Sequence, residues 1–333
     1  MQLIKVNGIS KEYRIVKKEE GLKGAVKNLF IPNYTKFRTV VNISFSIEEG
    51  NIVGFIGPNG AGKSTTIKMM VGVLSPTSGT ISVNGVDPFK ERKKNAPNIG
   101  IVFGQRTQLW WDIPVKETYK LLKKMYNISD KDYKKRLDLF SEVLDITSFI
   151  NKPTRQLSLG QRVRADMCAA LLHNPKVLFL DEPTIGLDVV VKEKIHEFLM
   201  EINRLYHTTV ILTTHDISDI ETLSKKIIVI DHGNLIYNDT LSKLKNEYSN
   251  EEKITFNASD DEWNRVKTAF QDYNVRLIQG EEKAIFFQKQ DYELTYILET
   301  LISNSKVQNL NIVETNLESV IKNIYNKSGK GDS

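Results

Sequence analysis

The chain has 333 residues, 40% hydrophobic and 26% charged, a balance that excludes a disordered or fibrous protein and allows one large domain plus a smaller one. Its net charge of +5 is local: residues 1–40 hold nine Lys and Arg against three Glu, so the remainder sums to −1 and a dedicated nucleic-acid face is not expected. No run approaches the roughly 18 to 20 apolar residues of a membrane-spanning helix, and the N-terminus lacks a signal-peptide core, so the chain is expected to stay in the cytosol by itself.

In chain order, residues 17–32 place Leu22, Val26, Leu29 and Phe30 near helical spacing with lysines between them. Such a segment either lies against a membrane surface or partner helix or is a solvated, charge-rich face. Near-continuous apolar runs at 51–56, 176–180, 209–213 and 226–230 alternate with helical stretches, which predicts parallel strands buried on both faces of an α/β domain. In such sheets ligands bind beyond the carboxyl ends of the strands.

After the first of these strands, Gly57-Pro58-Asn59-Gly60-Ala61-Gly62-Lys63-Ser64 fits G-x-x-x-x-G-K-[ST], with a helix-compatible run from Thr65 onward. Glycines let backbone amides turn inward around phosphate oxygens, and the following helix adds its positive end. Lys63 reaches the outer phosphates and Ser64 offers a hydroxyl to Mg²⁺. The run Met167-Cys168-Ala169-Ala170-Leu171 makes the lone cysteine a core residue rather than a reactive one. The strand at 176–180 ends in Asp181-Glu182, where one acid can hold Mg²⁺ through water and the other can orient or deprotonate an attacking water. His215 follows the strand at 209–213, whereas His173, His196, His207 and His232 read as solvated or locally hydrogen-bonded.

Beyond residue 240 the pattern predicts strand 253–258, helix 260–271, strands 273–280 and 282–289, helix 293–305, strand 308–314 and helix 316–325, a β-α-β-β-α-β order. The polar tail 327–333 carries no functional assignment.

The phosphate loop, Phe103-Gly104-Gln105, Leu157-Ser158-Leu159-Gly160-Gln161, Asp181-Glu182, Gly186-Leu187-Asp188 and Thr214-His215-Asp216 occur in the order in which they stand in the ABC transporter ATPases, which this sequence resembles. The resemblance implies a P-loop NTPase fold with a RecA-like α/β core, an N-terminal antiparallel β part and a helical subdomain over about 106–172. That domain would occupy 1–240, with an insertion over about 17–38, and a small α+β ferredoxin-like domain would fill 241–333.

The resemblance also implies roles. ATP would be held by Tyr13, Gly57, Asn59, Gly60, Ala61, Gly62, Lys63, Ser64, Thr65 and Gln105; Mg²⁺ by Ser64, Gln105 and, through water, Asp181; hydrolysis would rest on Glu182, His215 and Lys63. Ser158, Gly160, Gln161 and Asp188 would act in trans from a second nucleotide-binding subunit, so a dimer, sufficient as a homodimer, is implied. Leu159 departs from the glycine more common at that place. Tyr13 matches the adenine-stacking aromatic, with Tyr34 and Phe37 as competitors. In these ATPases residues 107–114, with Trp110 and Trp111, line the groove that receives a membrane subunit's cytoplasmic helix; otherwise the two rings pack the helical subdomain.

The wording around 105–114 and the extra N-terminal segment resemble the daunorubicin-resistance type. This implies an exporter subunit with separately encoded permeases, located peripherally on the cytoplasmic face of the cell membrane. A soluble ABC ATPase acting on ribosomes or nucleic acid is the alternative, and a non-hydrolysing regulatory module would require damage to motifs that are complete here.

Overall fold

A computed structural model describes residues 1–16, 34–103, 107–214, 216–248, 251–280, 282–313 and 317–328, which divide into two compact units, Met1–Asp239 and Thr240–Ser333. The first unit opens with β1 (Gln2–Val16) and β2 (Tyr34–Glu48), followed by β3 (Ile52–Ile56), α1 (Lys63–Met70), β4 (Ser78–Val83) and β5 (Ile99–Phe103). Helices α2 (Val115–Met125), α3 (Asp130–Leu144) and α4 (Leu159–Leu171) come next, then β6 (Val177–Asp181), α5 (Val189–Tyr206), β7 (Thr209–Thr213), α6 (Ile217–Leu223), β8 (Lys226–Asp231) and β9 (Asn234–Thr240).

β1 pairs antiparallel with β2 and with β4 in a three-stranded sheet. Ile4, Val6 and Ile9 of β1 and Val40, Ile43 and Ile47 of β2 bury the apolar face of that sheet. The hairpin is longer than a boundary at residue 38 predicts: Tyr34–Arg38 are strand, in register with Val16 through Glu12. Cross-strand ion pairs from Lys36 and Arg38 to Glu12, at 3.2 and 3.4 Å, accompany this extension. The helical spacing predicted for residues 17–32 falls outside the described residues.

The second sheet has the order β5-β6-β7-β3-β8-β9, and its first four pairings are parallel. Every residue of β3 and β7 is buried, as strands covered on both faces require. β3 lies between β7 and β8, so the chain leaving it enters the crevice where the winding of the sheet reverses, the place where open α/β sheets bind ligands. Tyr119 of α2 is fully buried and donates its hydroxyl to the Ala165 carbonyl of α4 at 2.9 Å, so a core aromatic joins two helices with its polar end satisfied. Cys168 lies in the same core, and burial pushes its thiol far above the ordinary range, as an inert packing role requires.

In the second unit α7 (Leu241–Tyr248) precedes β10 (Glu251–Asn257), α8 (Asp260–Ala269), β11 (Val275–Gln279), β12 (Lys283–Gln288), α9 (Leu294–Asn304), β13 (Gln308–Val313) and α10 (Leu317–Ser328). Its antiparallel sheet has the order β11-β12-β10-β13. Ile254, Phe256, Ile285 and Phe287 of the two central strands pack with Trp263 and Val266 of α8 and Ile297 and Leu301 of α9 in a core of their own. α7 is an addition to the predicted order of elements.

Candidate active site

The loop after β3 is shaped by glycine. Gly62 has φ +102°, and a Cβ there would lie 2.4 Å from the Thr39 carbonyl oxygen; at Gly57 one would lie 2.4 Å from that of Ile230. Both positions must be glycine for the loop to lie this close to its neighbours. α1 begins at Lys63 without a side-chain cap, leaving the amides of its first turn directed at whatever occupies the loop. Lys63 is buried and donates from Nζ to the carbonyls of Gly57 at 2.6 Å and Pro58 at 3.2 Å. Burial lowers its pKa, and the Glu182 and Asp181 carboxylates oppose that shift. Ala61 is buried, Asn59 and Gly60 are exposed, and Thr65 is half-buried.

Ser64 Oγ donates to Asp181 Oδ1 at 3.3 Å, linking the start of α1 to the end of β6. The same carboxylate oxygen accepts from Thr213 Oγ1 at 2.7 Å. Hydroxyl and carboxylate oxygens are the ligand chemistry of Mg²⁺, which is typically held by one or two protein groups with phosphates and water completing the shell, so this pair fits that ion. Phe103 pairs with Asp181, so β5 ends level with the site; Gln105, which follows, lies outside the described residues.

Glu182 has φ +53°, a left-handed backbone that costs a non-glycine residue on the order of 1–3 kcal/mol. Its amide donates to the Thr213 carbonyl at 3.0 Å and to the Thr213 hydroxyl at 3.1 Å, which holds the turn in place. His215 is outside the described residues, but its neighbours are fixed. Asp216 accepts from Lys192 Nζ of α5 at 2.5 Å, and this hydrogen bond, with those from Ser218, lowers its pKa to about 2.

Ser158 is the N-cap of α4, and its side chain and that of Gln161 make a reciprocal capping box. The helix therefore starts at Leu159, directly after the cap, which satisfies the Gln161 amide. Leu159 is 41% exposed, and a Cβ at Gly160 would stand 3.3 Å from Val191 Cγ2, so the signature segment lies against the start of α5. Asp188 caps α5 by accepting from the Val191 amide at 2.9 Å.

Tyr13 and Phe37 are cross-strand partners and both are exposed, Tyr13 with Lys11 Nζ 5.4 Å from its ring centroid. Two residues after Phe37, the Thr39 carbonyl abuts Gly62, so this aromatic pair borders the phosphate loop. Tyr34 is exposed farther along the hairpin. Trp110 and Trp111 are 54% and 48% exposed, with the Arg162 guanidinium 5.3 Å from the Trp111 ring, so neither ring is a core residue of the helical layer. Thr213 and Asp219 join the site without having been singled out by the sequence, and His196, read there as solvated or locally hydrogen-bonded, is buried and lies 2.9 Å from Asp219 Oδ1 on a different helix; Thr213 becomes visible only once β6 and β7 are set in register.

A profile of the family described as "ABC transporter" matches residues 40–185. The ABC transporter ATP-binding protein NatA of Bacillus subtilis is 30% identical over 207 residues, covering 62% of this chain and 84% of NatA. The linearmycin resistance ATP-binding protein LnrL of the same organism is 36% identical over 211 residues, covering 63% and 67%. Among solved structures, the dimeric post-hydrolysis state of the ATP-binding cassette MJ0796 bound to ADP and Pi superposes with a TM-score of 0.59 at 27% identity, covering 72% of this chain and 98% of that one.

Proposed function

This chain belongs to the family of ABC transporter ATP-binding proteins and is an ABC-type ATPase, and from that premise we propose that it powers an exporter whose membrane-spanning subunits are separate chains. The observation that carries the catalytic assignment is the convergence of Lys63, Ser64, Asp181 and Glu182 at the ends of β3 and β6, where Ser64 and Asp181 touch.

ATP would seat its phosphates on the amides of the loop and of the first turn of α1. Lys63 Nζ would exchange its two carbonyl partners for outer phosphate oxygens and so oppose the charge that spreads over them as the terminal bond breaks. Mg²⁺, held by Ser64, Gln105 and, through water, Asp181, would neutralise phosphate charge. Glu182 would accept the proton of the attacking water, and His215 would hold that water against the γ-phosphate. Tyr13 is the preferred adenine platform, with its partner Phe37 beside it.

Ser158, Gly160 and Gln161 would meet the γ-phosphate bound by a second copy, with Asp188 at the seam. The exposed start of α4 supports this reading, as does the dimeric cassette found among the structural relatives. The protein would sit peripherally on the cytoplasmic membrane face; no helix of the described residues is long and apolar enough to cross a membrane. The word "resistance" in the name of LnrL favours export. The domains are assigned as 1–240 and 241–333; the sheet order of the second unit supports a ferredoxin-like fold, to which we assign the role of a brace for the dimer.

The test is Mg²⁺-dependent ATP turnover by the full chain with and without candidate membrane subunits, with Glu182→Gln as control. A membrane partner that binds stably and changes turnover supports the reading; an active ATPase that co-purifies only with ribosomes or nucleic acid overturns it.

A further inference from the structure

Asp219, on α6, has no accessible surface, and its carboxylate has three side-chain partners drawn from three separate segments. Oδ2 accepts from Thr184 Oγ1 at 2.6 Å and from Thr214 Oγ1 at 3.0 Å, and Oδ1 lies 2.9 Å from His196 Nε2 of α5. Thr184 and Thr214 are themselves buried. Burial alone would raise the Asp219 pKa, but the hydrogen bonds from His196, Thr184 and Thr214 outweigh it and hold the carboxyl below its ordinary value.

The chain from Glu182 to α5 is thus held at both ends on one group: Thr184 stands two residues after Glu182, and His196 lies within the helix that the segment enters. On the other side Glu182 is fixed by Thr213, whose successor, Thr214, reaches the same carboxylate. A left-handed residue needs its neighbours fixed if its side chain is to keep one direction, and here the fixation after Glu182 runs through the Thr184 hydroxyl.

We propose that Asp219, paired with His196, is a positioning residue for ATP hydrolysis that holds Glu182 in its catalytic orientation through Thr184. The inference rests on the assignment of Glu182 as the base. Thr184→Val removes only the hydroxyl that reaches Asp219, and Thr184→Ser restores it. The valine variant is expected to lose about tenfold in kcat with KM for ATP within about twofold of the parent, and the serine variant to recover most of the loss. In a Glu182→Gln background Thr184→Val should slow the residual turnover no further, because the hydroxyl acts through that carboxylate.

A folded Thr184→Val with the parent kcat, a raised KM at unchanged kcat, a serine variant as slow as the valine, or the same tenfold loss in the Glu182→Gln background would each overturn the proposal. Thr184→Ala takes the place of valine if the latter does not fold. If Glu182→Gln hydrolyses ATP at the parent rate, it is the assignment of the base that fails, and that single variant identifies this outcome.

Discussion

Thr213 serves two adjacent acids at once: its hydroxyl donates to Asp181 Oδ1 at 2.7 Å and accepts the Glu182 amide at 3.1 Å, from a buried position on the neighbouring strand. Thr213→Val keeps the shape of the strand and removes both interactions. Loss of a hydrogen bond to a charged group costs about 1.5–3 kcal/mol, and among the described residues it would leave that Asp181 oxygen only its hydrogen bond from Ser64. The expected outcome is a kcat at least tenfold lower and a higher Mg²⁺ concentration for half-maximal turnover, read from ATPase rates across a Mg²⁺ titration.

Lys63 is held at a cost to the folded chain, since burial disfavours its charge. Its lowered pKa means that this cost is present at neutral pH and fades only as alkaline pH removes the proton from the folded state. Lys63→Met should therefore melt no lower than the parent without nucleotide, yet lose the rise in melting temperature that ATP gives the parent. Thermal unfolding with and without ATP checks both halves.

Asp166 of α4 is buried and accepts from the Thr107 hydroxyl at 2.9 Å and the Gln108 amide at 3.0 Å, tying that helix to the segment just after Gln105. Burial raises its pKa from 3.8 to about 6, against the lowering effect of those hydrogen bonds. The folded state thus binds this proton more tightly than the unfolded state, and the contribution of Asp166 to stability falls as pH rises from about 4 to about 6. Asp166→Asn keeps an accepting oxygen and removes the charge, so it should flatten that window and stabilise the protein above pH 6 by at most about 3 kcal/mol. Denaturant midpoints measured across the window test the sign.

Trp110 and Trp111 are about half exposed, so replacing both by alanine removes the exposed half of each ring and also its buried half. Global stability should fall by about 1–3 kcal/mol, a loss that leaves a domain of ordinary stability folded. Binding to a membrane subunit, or its stimulation of turnover, should drop at least tenfold if the two rings anchor that interface, since anchors of this kind each contribute about 2 kcal/mol. Unchanged coupling would return them to the role of ordinary surface residues.

Much of the first unit was legible because its signals are local. Apolar runs announced the strands at 52–56, 177–181 and 209–213, and the phosphate loop carries its geometry in its own glycines. The start of α4 is equally local, written in Ser158 and Gln161 as a capping box. The positions of Thr213, Asp219 and His196 were not legible. They depend on which strands and helices become neighbours, and a buried carboxylate with three partners looks, in sequence, like any acid on a helix. The α7 helix is hard to read in the sequence for a different reason: Leu241 and Leu244 are buried among largely polar neighbours.

The left-handed turn at Glu182 sets the demands of heat resistance against those of chemistry. Glycine tolerates that backbone without penalty and asparagine tolerates it well, whereas glutamate does not. A screen that rewards survival at high temperature, with no assay for turnover, should therefore enrich glycine or asparagine at position 182 and return hardier proteins that no longer split ATP.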